Sequence, residues 1–386
     1  MTPPFTSQQN QVWITDVAAV TALGDDLEKT WRRLLESRTG IRPVVRFNTG
    51  AFTSGVAACM EDLPATGCGS MVRFLLARLA RGLGPVPGDA WLVTATAKAG
   101  IDSLEKSQRG TSCHAEDMFP AFFPRMVSEA FGLKRPGINI SAACASSTIA
   151  VSQASAMIHA GAADVVLMVS ADLVSEFVFS GFSSLGALAA TPCRPFDRNR
   201  SGLSLGEGAV ALLLMNSKRA EAEGRIPLGR VLGWGAANDA FHVTAPAPDG
   251  SGLSQAIRQA LKCAGLEKEA IGAVCAHGTG TVSNDAMELR ALRDCFGGPA
   301  GVQLPVFSVK GAIGHTLGPA GGIEVALGLK VLSQQIVPPT VGFSHPADGA
   351  QGWVFEKPVP VCGDYLLSSN SGFGGINAAL VLGKGA

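Results

Sequence analysis

The stretch Asn139–Gly161, NISAACASSTIAVSQASAMIHAG, decides the fold. Its start continues an alternating, strand-like run from Gly137 to Ala143 that carries Ile138 and Ile140. From Ala145 to Ala160 it is rich in Ala and Ser, with Ile149, Val151, Met157 and Ile158 between them, and Gly161 is a helix stop. A strand therefore gives way to a helix at one thiol, Cys144, and the neighbours Ser141, Ala142, Ala143, Ala145, Ser146 and Ser147 are all small. The first N–H groups of a helix have no intrahelical partner, and the macrodipole favours negative charge. The position thus predicts a thiolate stabilised below the ~8.5 of a free cysteine. The same N–H groups can hold an oxyanion, one such donor being worth roughly 2.7–4 kcal/mol of barrier. Position alone also suits an inert cysteine in a tightly packed helix, so the thiol's chemistry depends on partners elsewhere in the chain.

Working outward, strand-like runs alternate with helix-like runs. VWITDVAAV precedes LEKTWRRLLES; AWLVTATA, DVVLMVSAD and GAVALLLM follow, the last leading into SKRAEAEG. A second series runs RVLGWGAAN, LSQAIRQALKCAG, AVCAHGTG, NDAMELRALRDCF, VFSVK, GGIEVALGLKVLSQ and YLLSSNSGFGGINAALVLG. Continuous apolar strands between helices predict an α/β chain with sheets covered on both faces. The polar turn Ser217–Arg225 divides it into residues 1–225 and 226–386, two similar halves packed against each other.

Composition narrows the function. The 386 residues are 47% hydrophobic and only 16% charged, enough for one large domain or two ordinary ones. A formal net charge of +0 offers no global field for nucleic acid or an anionic membrane. No apolar run reaches the ~18–20 residues of a membrane span. MTPPFTSQQNQ has neither a basic n-region nor an apolar h-region. Nine cysteines without C-x-x-C pairs or metal-type spacing read as reduced thiols in the cytoplasm; apart from Cys144 they read as small core residues.

Three later loops can serve the thiol. In VCAHGTGTVSNDAMEL an apolar strand ends at His277, before Thr279 and Thr281, and Asn284, Asp285 and Glu288 open a helix. In FSVKGAIGHTLGPAGGIE a short strand delivers Lys310, and glycines carry the chain to His315. In SSNSGFGGINAAL a glycine-dense turn surrounds Phe373 and includes Gly374. Each alone is a weak signal. All three follow strands at their carboxyl ends, where open α/β sheets bind ligands, and so point to one shared site.

AACASS, HGTGT..ND..E, SVKGAIGHTLGPAGGIE and NSGFGGIN, in that order, resemble the motifs of the β-ketoacyl-[acyl-carrier-protein] synthases of the thiolase-like condensing-enzyme superfamily. RPFDRNRSGLSLGEGAVALLL and NDAFHVTAPAPDGSG resemble further segments of that family, and the match runs from Val12 to Leu382. The Cys–His–His set resembles the elongating synthases and polyketide ketosynthases; coenzyme A-primed initiating synthases carry Cys–His–Asn, and thiolases a second cysteine. The resemblance implies a thiolase-like fold with layered α-β-α-β-α architecture. It implies acyl transfer to Cys144 and then decarboxylative condensation with a malonyl group, in fatty acid, polyene or polyketide biosynthesis. His277 and His315 would hold the enolate oxygen, and the N–H groups of Cys144 and Phe373 the oxyanion. Lys310 would supply positive charge with Glu288 as its partner. Thr279 and Thr281 would bind the pantetheine arm, and Phe373, with Gly374 beside it, would gate the pocket. No metal and no cofactor is implied beyond the 4'-phosphopantetheine of the acyl carrier protein. Ser371 and Ile376 stand where relatives often carry Phe and Thr or His, Ser201 where an Asp is common, and ATAKAG (Ala95–Gly100) replaces a more glycine-rich turn.

The acidic carrier calls for a basic entrance, for which Arg125, Arg194, Arg198 and Arg200 are candidates. His114, His159 and His345 are read as structural, and His242 as near the entrance without an assigned role. Met118–Gly132, rich in Phe and Met, is the expected subunit contact and part of the acyl pocket. A homodimer is expected, with a heterodimer containing a chain-length-factor-like subunit as the alternative assembly. The competing function is a non-catalytic chain-length-factor-like partner; such subunits lack the nucleophile that Cys144 supplies.

Overall fold

The computed structural model describes residues 10–64, 69–111, 114–297 and 304–385. Cys68, Cys113 and the first nine residues lie outside the described residues. The strands that build the main sheet are β1 (Val12–Thr21), β2 (Trp91–Ala95), β3 (Gly137–Ile140), β4 (Val165–Asp172) and β5 (Gly208–Asn216). They continue with β6 (Gly229–Asn238), β7 (Ile271–Cys275), β8 (Val306–Phe307), β9 (Tyr365–Gly372) and β10 (Ile376–Lys384). The principal helices are α1 (Leu27–Leu35), α2 (Met71–Gly82), α3 (Phe123–Phe131), α4 (Ser146–His159), α5 (Ser251–Ala264), α6 (Val282–Phe296) and α7 (Ala320–Gln334).

The strand order is β8-β7-β9-β10-β6-β1-β5-β4-β2-β3. From β1 outward to β3 the pairings run antiparallel, antiparallel, parallel, parallel. From β6 outward to β8 they run the same way. Each strand of the first series thus has a counterpart five strands later. The two series join edge to edge, because β1 also pairs with β6 through Val12↔Val231, Trp13↔Arg230 and Ile14↔Gly229.

Strand periodicity explains the layers. In β4, Val166 and Met168 enter one core while Val165, Leu167 and Val169 enter another. In β10, Leu380 and Leu382 share the first of these cores, and Ala379 and Val381 enter a third. Alternate side chains of an extended chain face opposite sides, so a strand apolar throughout must be covered twice. The shared core is filled by α4 (Ala150, Val151, Ala154) and α7 (Ile323, Ala326, Leu327). Helices α2 and α3 cover the first series from outside, and α5 and α6 the second. The result is five layers, α-β-α-β-α, with α4 and α7 in the middle. Gly321 shows how closely these two approach: a Cβ there would lie 1.9 Å from Thr148 Oγ1. The small residues around Cys144 therefore serve helix packing as well as access.

Within the segment expected as subunit contact, Met118–Gly132, helix α3 buries Phe123, Met126 and Val127 in its own core, while Phe119 is exposed. The expected element boundaries are revised. The strand expected over Gly137–Ala143 stops at Ile140, and the helix starts at Ser146 rather than Ala145.

Candidate active site

Cys144 lies on a sharp elbow between β3 and α4. Ala143 just before it has φ +49°, in the left-handed region that a non-glycine residue rarely adopts. The first N–H groups of the helix are taken up locally: Ala145 donates to Ala142 O, Ser146 to Ala143 O and Ser147 to Gly318 O. They do not reach the sulfur. What reaches it is His315 Nε2, at 2.9 Å, and the N–H of Phe373. Burial pushes the thiol up to about 12, against the lowering effects of Lys310 and the Phe373 N–H. The low thiolate pKa expected from helix position is thus corrected: the sulfur is desolvated, and the helix end is occupied by its own turn.

His315 is held through its backbone. Its N–H donates to Ser204 O, and its carbonyl accepts from Gly206 N–H. A Cβ on Gly206 would lie 2.1 Å from Ile313 O, so only glycine fits that crossing. The segment Ser204–Gly206 is part of the SLGEG motif, which accounts for its place in the sequence pattern. His315 Nδ1 accepts from Leu317 N–H at 3.3 Å, which leaves the ring proton on Nε2, facing the sulfur.

His277 follows β7 and stands edge-on to His315, ring centroids 5.2 Å apart and planes at 86°. The sulfur and one nitrogen of each ring all lie within 4.8 Å of one another. Burial first, then the positive charge of Lys310, holds both imidazoles well below the usual histidine range, so both are neutral at pH 7.

Lys310 opens the short helical turn Lys310–Ile313 after β8. Its Nζ donates to Glu324 Oε1 and to His277 O, each at 2.5 Å. The expected partner, Glu288, is not the one used. Its oxygens accept from His277 N–H at 2.6 Å and Gly278 N–H at 2.7 Å. Glu288 is a fully buried prop of the His277 loop rather than a substrate-binding group, and burial pushes its carboxyl up to about 7. Glu324, on α7, also accepts from Asn370 Nδ2 at 2.7 Å. Motif spacing marks neither Glu324 nor Asn370. The signal that points to Glu324 is a lone carboxylate inside the apolar run GGIEVALGL, which a buried helix tolerates only with a partner.

The three residues open into a cleft of about 350 Å³ whose wall includes Thr279, Thr281, Phe373 and Gly375. Thr279 and Thr281 hydroxyls lie 3.0 Å apart. Phe373 stacks on Phe182, centroids 5.8 Å apart and planes at 26°. Ser371 and Asn377 also face the cleft, Ser371 Oγ donating to Asn377 Oδ1 at 2.6 Å. Gly374 departs from expectation: it is exposed, and its N–H is bonded to Val243 O at 2.7 Å. It shapes the hairpin turn between β9 and β10, with φ +87°, and does not line the cleft.

The whole chain is similar to known proteins. Residues 86–220 match the family model "Beta-ketoacyl synthase, N-terminal domain", and residues 228–344 match "Beta-ketoacyl synthase, C-terminal domain". The chain belongs to the β-ketoacyl synthase family. A 3-oxoacyl-[acyl-carrier-protein] synthase 2 of Synechocystis sp. is 30% identical, over 98% of this chain and 99% of its own length. Among solved structures, the ishigamide ketosynthase/chain length factor superposes with a TM-score of 0.86 at 27% identity, covering 97% of this chain and 99% of that one. A ketosynthase in complex with its chain length factor from Xenorhabdus doucetiae gives 0.82 at 26% identity, covering 97% and 98%. The family therefore carries the thiolase-like fold read from the motifs.

For a β-ketoacyl synthase the entrance charges are rearranged from expectation. Arg194 and Arg198 are exposed. Arg200 instead turns inward, donating to Asp197 O at 3.0 Å and Val282 O at 3.2 Å, with Asp285 3.9 Å away. Arg125 is on α3, paired with Glu129 at 3.1 Å and lying over the Phe122 ring. His242 is exposed, its Nδ1 accepting from Thr244 and Ala245 N–H. Among the described residues no helix is long and apolar enough to cross a membrane. The seven described cysteines are all free.

Proposed function

We propose that this β-ketoacyl synthase lengthens acyl chains by decarboxylative Claisen condensation, in fatty acid or polyketide biosynthesis, with Cys144 as the acyl carrier on the enzyme. The observation that carries the reading is the convergence of the Cys144 sulfur with two neutral imidazoles at the floor of an open cleft. The sulfur attacks the thioester of an acyl-carrier. Its proton passes to the departing pantetheine thiol, and an acyl-Cys144 thioester remains. The developing oxyanion is held by backbone N–H groups, with Phe373 N–H already directed at the sulfur. A malonyl-carrier then loses carbon dioxide, and the enolate oxygen takes hydrogen bonds from His277 and His315. The enolate carbon attacks acyl-Cys144 and expels the thiolate, which regains a proton from water.

Neutral imidazoles suit this work. They donate to an enolate without first having to lose a proton, and burial with Lys310 nearby keeps them neutral. Thr279 and Thr281 stand on the cleft wall where a pantetheine arm would pass. Leu185, Val243 and Val282 line the cleft and are also exposed at its mouth. With the exposed Arg194 and Arg198, they make a surface for an acidic carrier protein. No protein-held cofactor is required by these steps.

The assembly reading is a dimer. The sheet ends at β3, which pairs on one side only, with β2, and presents Ile138 and, from β2, Trp91 to the outside. An open sheet edge with apolar side chains favours cover by a second subunit. A second copy is the first choice, and a chain-length-factor-like chain the alternative occupant. The test of function is incubation with malonyl-carrier and a panel of acyl-carriers, followed by mass measurement of protein and products. Acylation of Cys144 and a product longer by two carbons are expected. Full condensation by Cys144→Ala would refute the assignment.

A further inference from the structure

We infer that Asn370 is a positioning residue that fixes the tautomer of His277, making its Nε2 a hydrogen-bond donor to the substrate. The inference rests on the condensing role proposed above for His277, and it concerns how that role is prepared.

Asn370 is on β9, fully buried. A side-chain amide has one oxygen that accepts and one nitrogen with two hydrogens to donate, and its orientation follows from the partners around it. Thr148 Oγ1 bonds to the Asn370 oxygen. Glu324 Oε2 lies 2.7 Å from the Asn370 nitrogen and His277 Nδ1 3.2 Å from it. Reversing the amide would set its oxygen against the Glu324 carboxylate, so that orientation is excluded by like charge. Glu324 is itself held by Lys310 at 2.5 Å. The amide nitrogen therefore has two acceptors for its two hydrogens, and the second is His277 Nδ1.

An Nδ1 that accepts carries no proton. A neutral imidazole has one, so it sits on Nε2, the nitrogen left for the cleft that His277 lines. The other groups packed around this histidine do not compete for Nδ1. Lys310 Nζ bonds the His277 carbonyl, Glu288 bonds the His277 N–H, and His315 meets the ring edge-on. His315 receives the same preparation from a backbone N–H, that of Leu317. The two imidazoles thus reach one donor form by different means, one from a main-chain group and one from a side chain that mutation can remove.

The test uses the full chain with 13C- and 15N-labelled histidine. There are six histidines, and the His277 signals are assigned by their loss in His277→Gln. The wild-type protein is expected to show the Nε2–H form. An Nδ1–H form in the wild type would overturn the inference, whatever the activity. In Asn370→Leu, which keeps the volume and removes the donor, the Nε2–H population is expected to fall. Asn370→Ser tests whether a hydroxyl donor restores it in part. Condensation by Asn370→Leu should drop about 100–1,000-fold, in line with the loss of one prepared donor. Acylation of Cys144, followed by mass, should stay within about twofold. Equal loss of both steps, or a leucine variant that keeps the Nε2–H form and full condensation, would overturn the inference. Failure of the wild type to acylate Cys144 with any carrier would refute the proposed function and leave the tautomer measurement to decide this one.

Discussion

The Cys144 sulfur lies 2.9 Å from His315 Nε2, and Leu317 N–H already holds the opposite nitrogen of that ring. His315 therefore donates to the sulfur and does not wait as a base for its proton. Its donation stabilises a thiolate, but burial opposes this more strongly and pushes the thiol up to about 12. The consequence is a thiol that reacts when substrate arrives, not a standing anion. Alkylation of Cys144 by iodoacetamide should accelerate about tenfold per pH unit from pH 7 to 9. Mass-resolved labelling that levels off near neutrality would contradict this.

The Lys310–Glu324 contact makes a second prediction, because it separates two carboxylates that look equivalent in the motifs. Removing one member of a buried pair leaves an uncompensated charge, typically at about 3–5 kcal/mol. Glu324→Gln should lower the unfolding free energy by that order. Glu288→Gln, which weakens bonds to two backbone N–H groups, should cost about 1–3 kcal/mol. Urea unfolding of the two variants checks the order, and a larger loss for Glu288→Gln would restore the partner read from the sequence.

What could be read from the chain, and what could not, follows the range of the interactions. Cys144, His277 and Phe373 each stand in a short loop after a strand, and Lys310 and His315 flank the helical turn that follows β8; local pattern marks such positions. Alternation in DVVLMVSAD and INAALVLG revealed strands covered on both faces, since Val166 and Leu167 must each find a core. The edge pairing of β1 with β6 spans more than two hundred residues and leaves no local trace. The choice of Glu324 over Glu288 depends on α7 lying against α4, which is likewise a tertiary fact. The thiol's ionisation is not legible, because in sequence the helix N–H groups look available. The turn at Ala143 hands Ala145 and Ser146 N–H to local carbonyls, and burial then dominates.

The neutral histidines give a third prediction. Burial and Lys310 hold His277 well below 6.5 in the fold, whereas the unfolded chain titrates normally. Below pH 6.5 the unfolded state takes up a proton that the fold refuses, so this contribution to stability is present at neutrality and lost as the pH falls. The stability of the wild type relative to His277→Gln should therefore shrink by about 1 kcal/mol between pH 7.5 and pH 5.5. Urea titrations at the two pH values measure it. A difference that grows on acidification would mean that the ring is charged in the fold.

The stack of Phe373 on Phe182 yields the last prediction. Phe373 sits in a turn whose following residues, Gly374 and Gly375, both have positive φ, so its ring is anchored mainly by side-chain contact. Phe182 comes from the separate helix Glu176–Ser184, and the neighbouring cleft residue Ser371 is small. An aromatic pair contributes about 0.5–1.5 kcal/mol beyond burial, enough to shift a two-position ring by roughly 2–10-fold. Phe182→Ala should release Phe373 and change which acyl lengths load onto Cys144. Competition among acyl-carriers of different length, resolved by intact-protein mass, reads this directly. An unchanged length distribution with unchanged loading rates would show that the stack does not hold the gate.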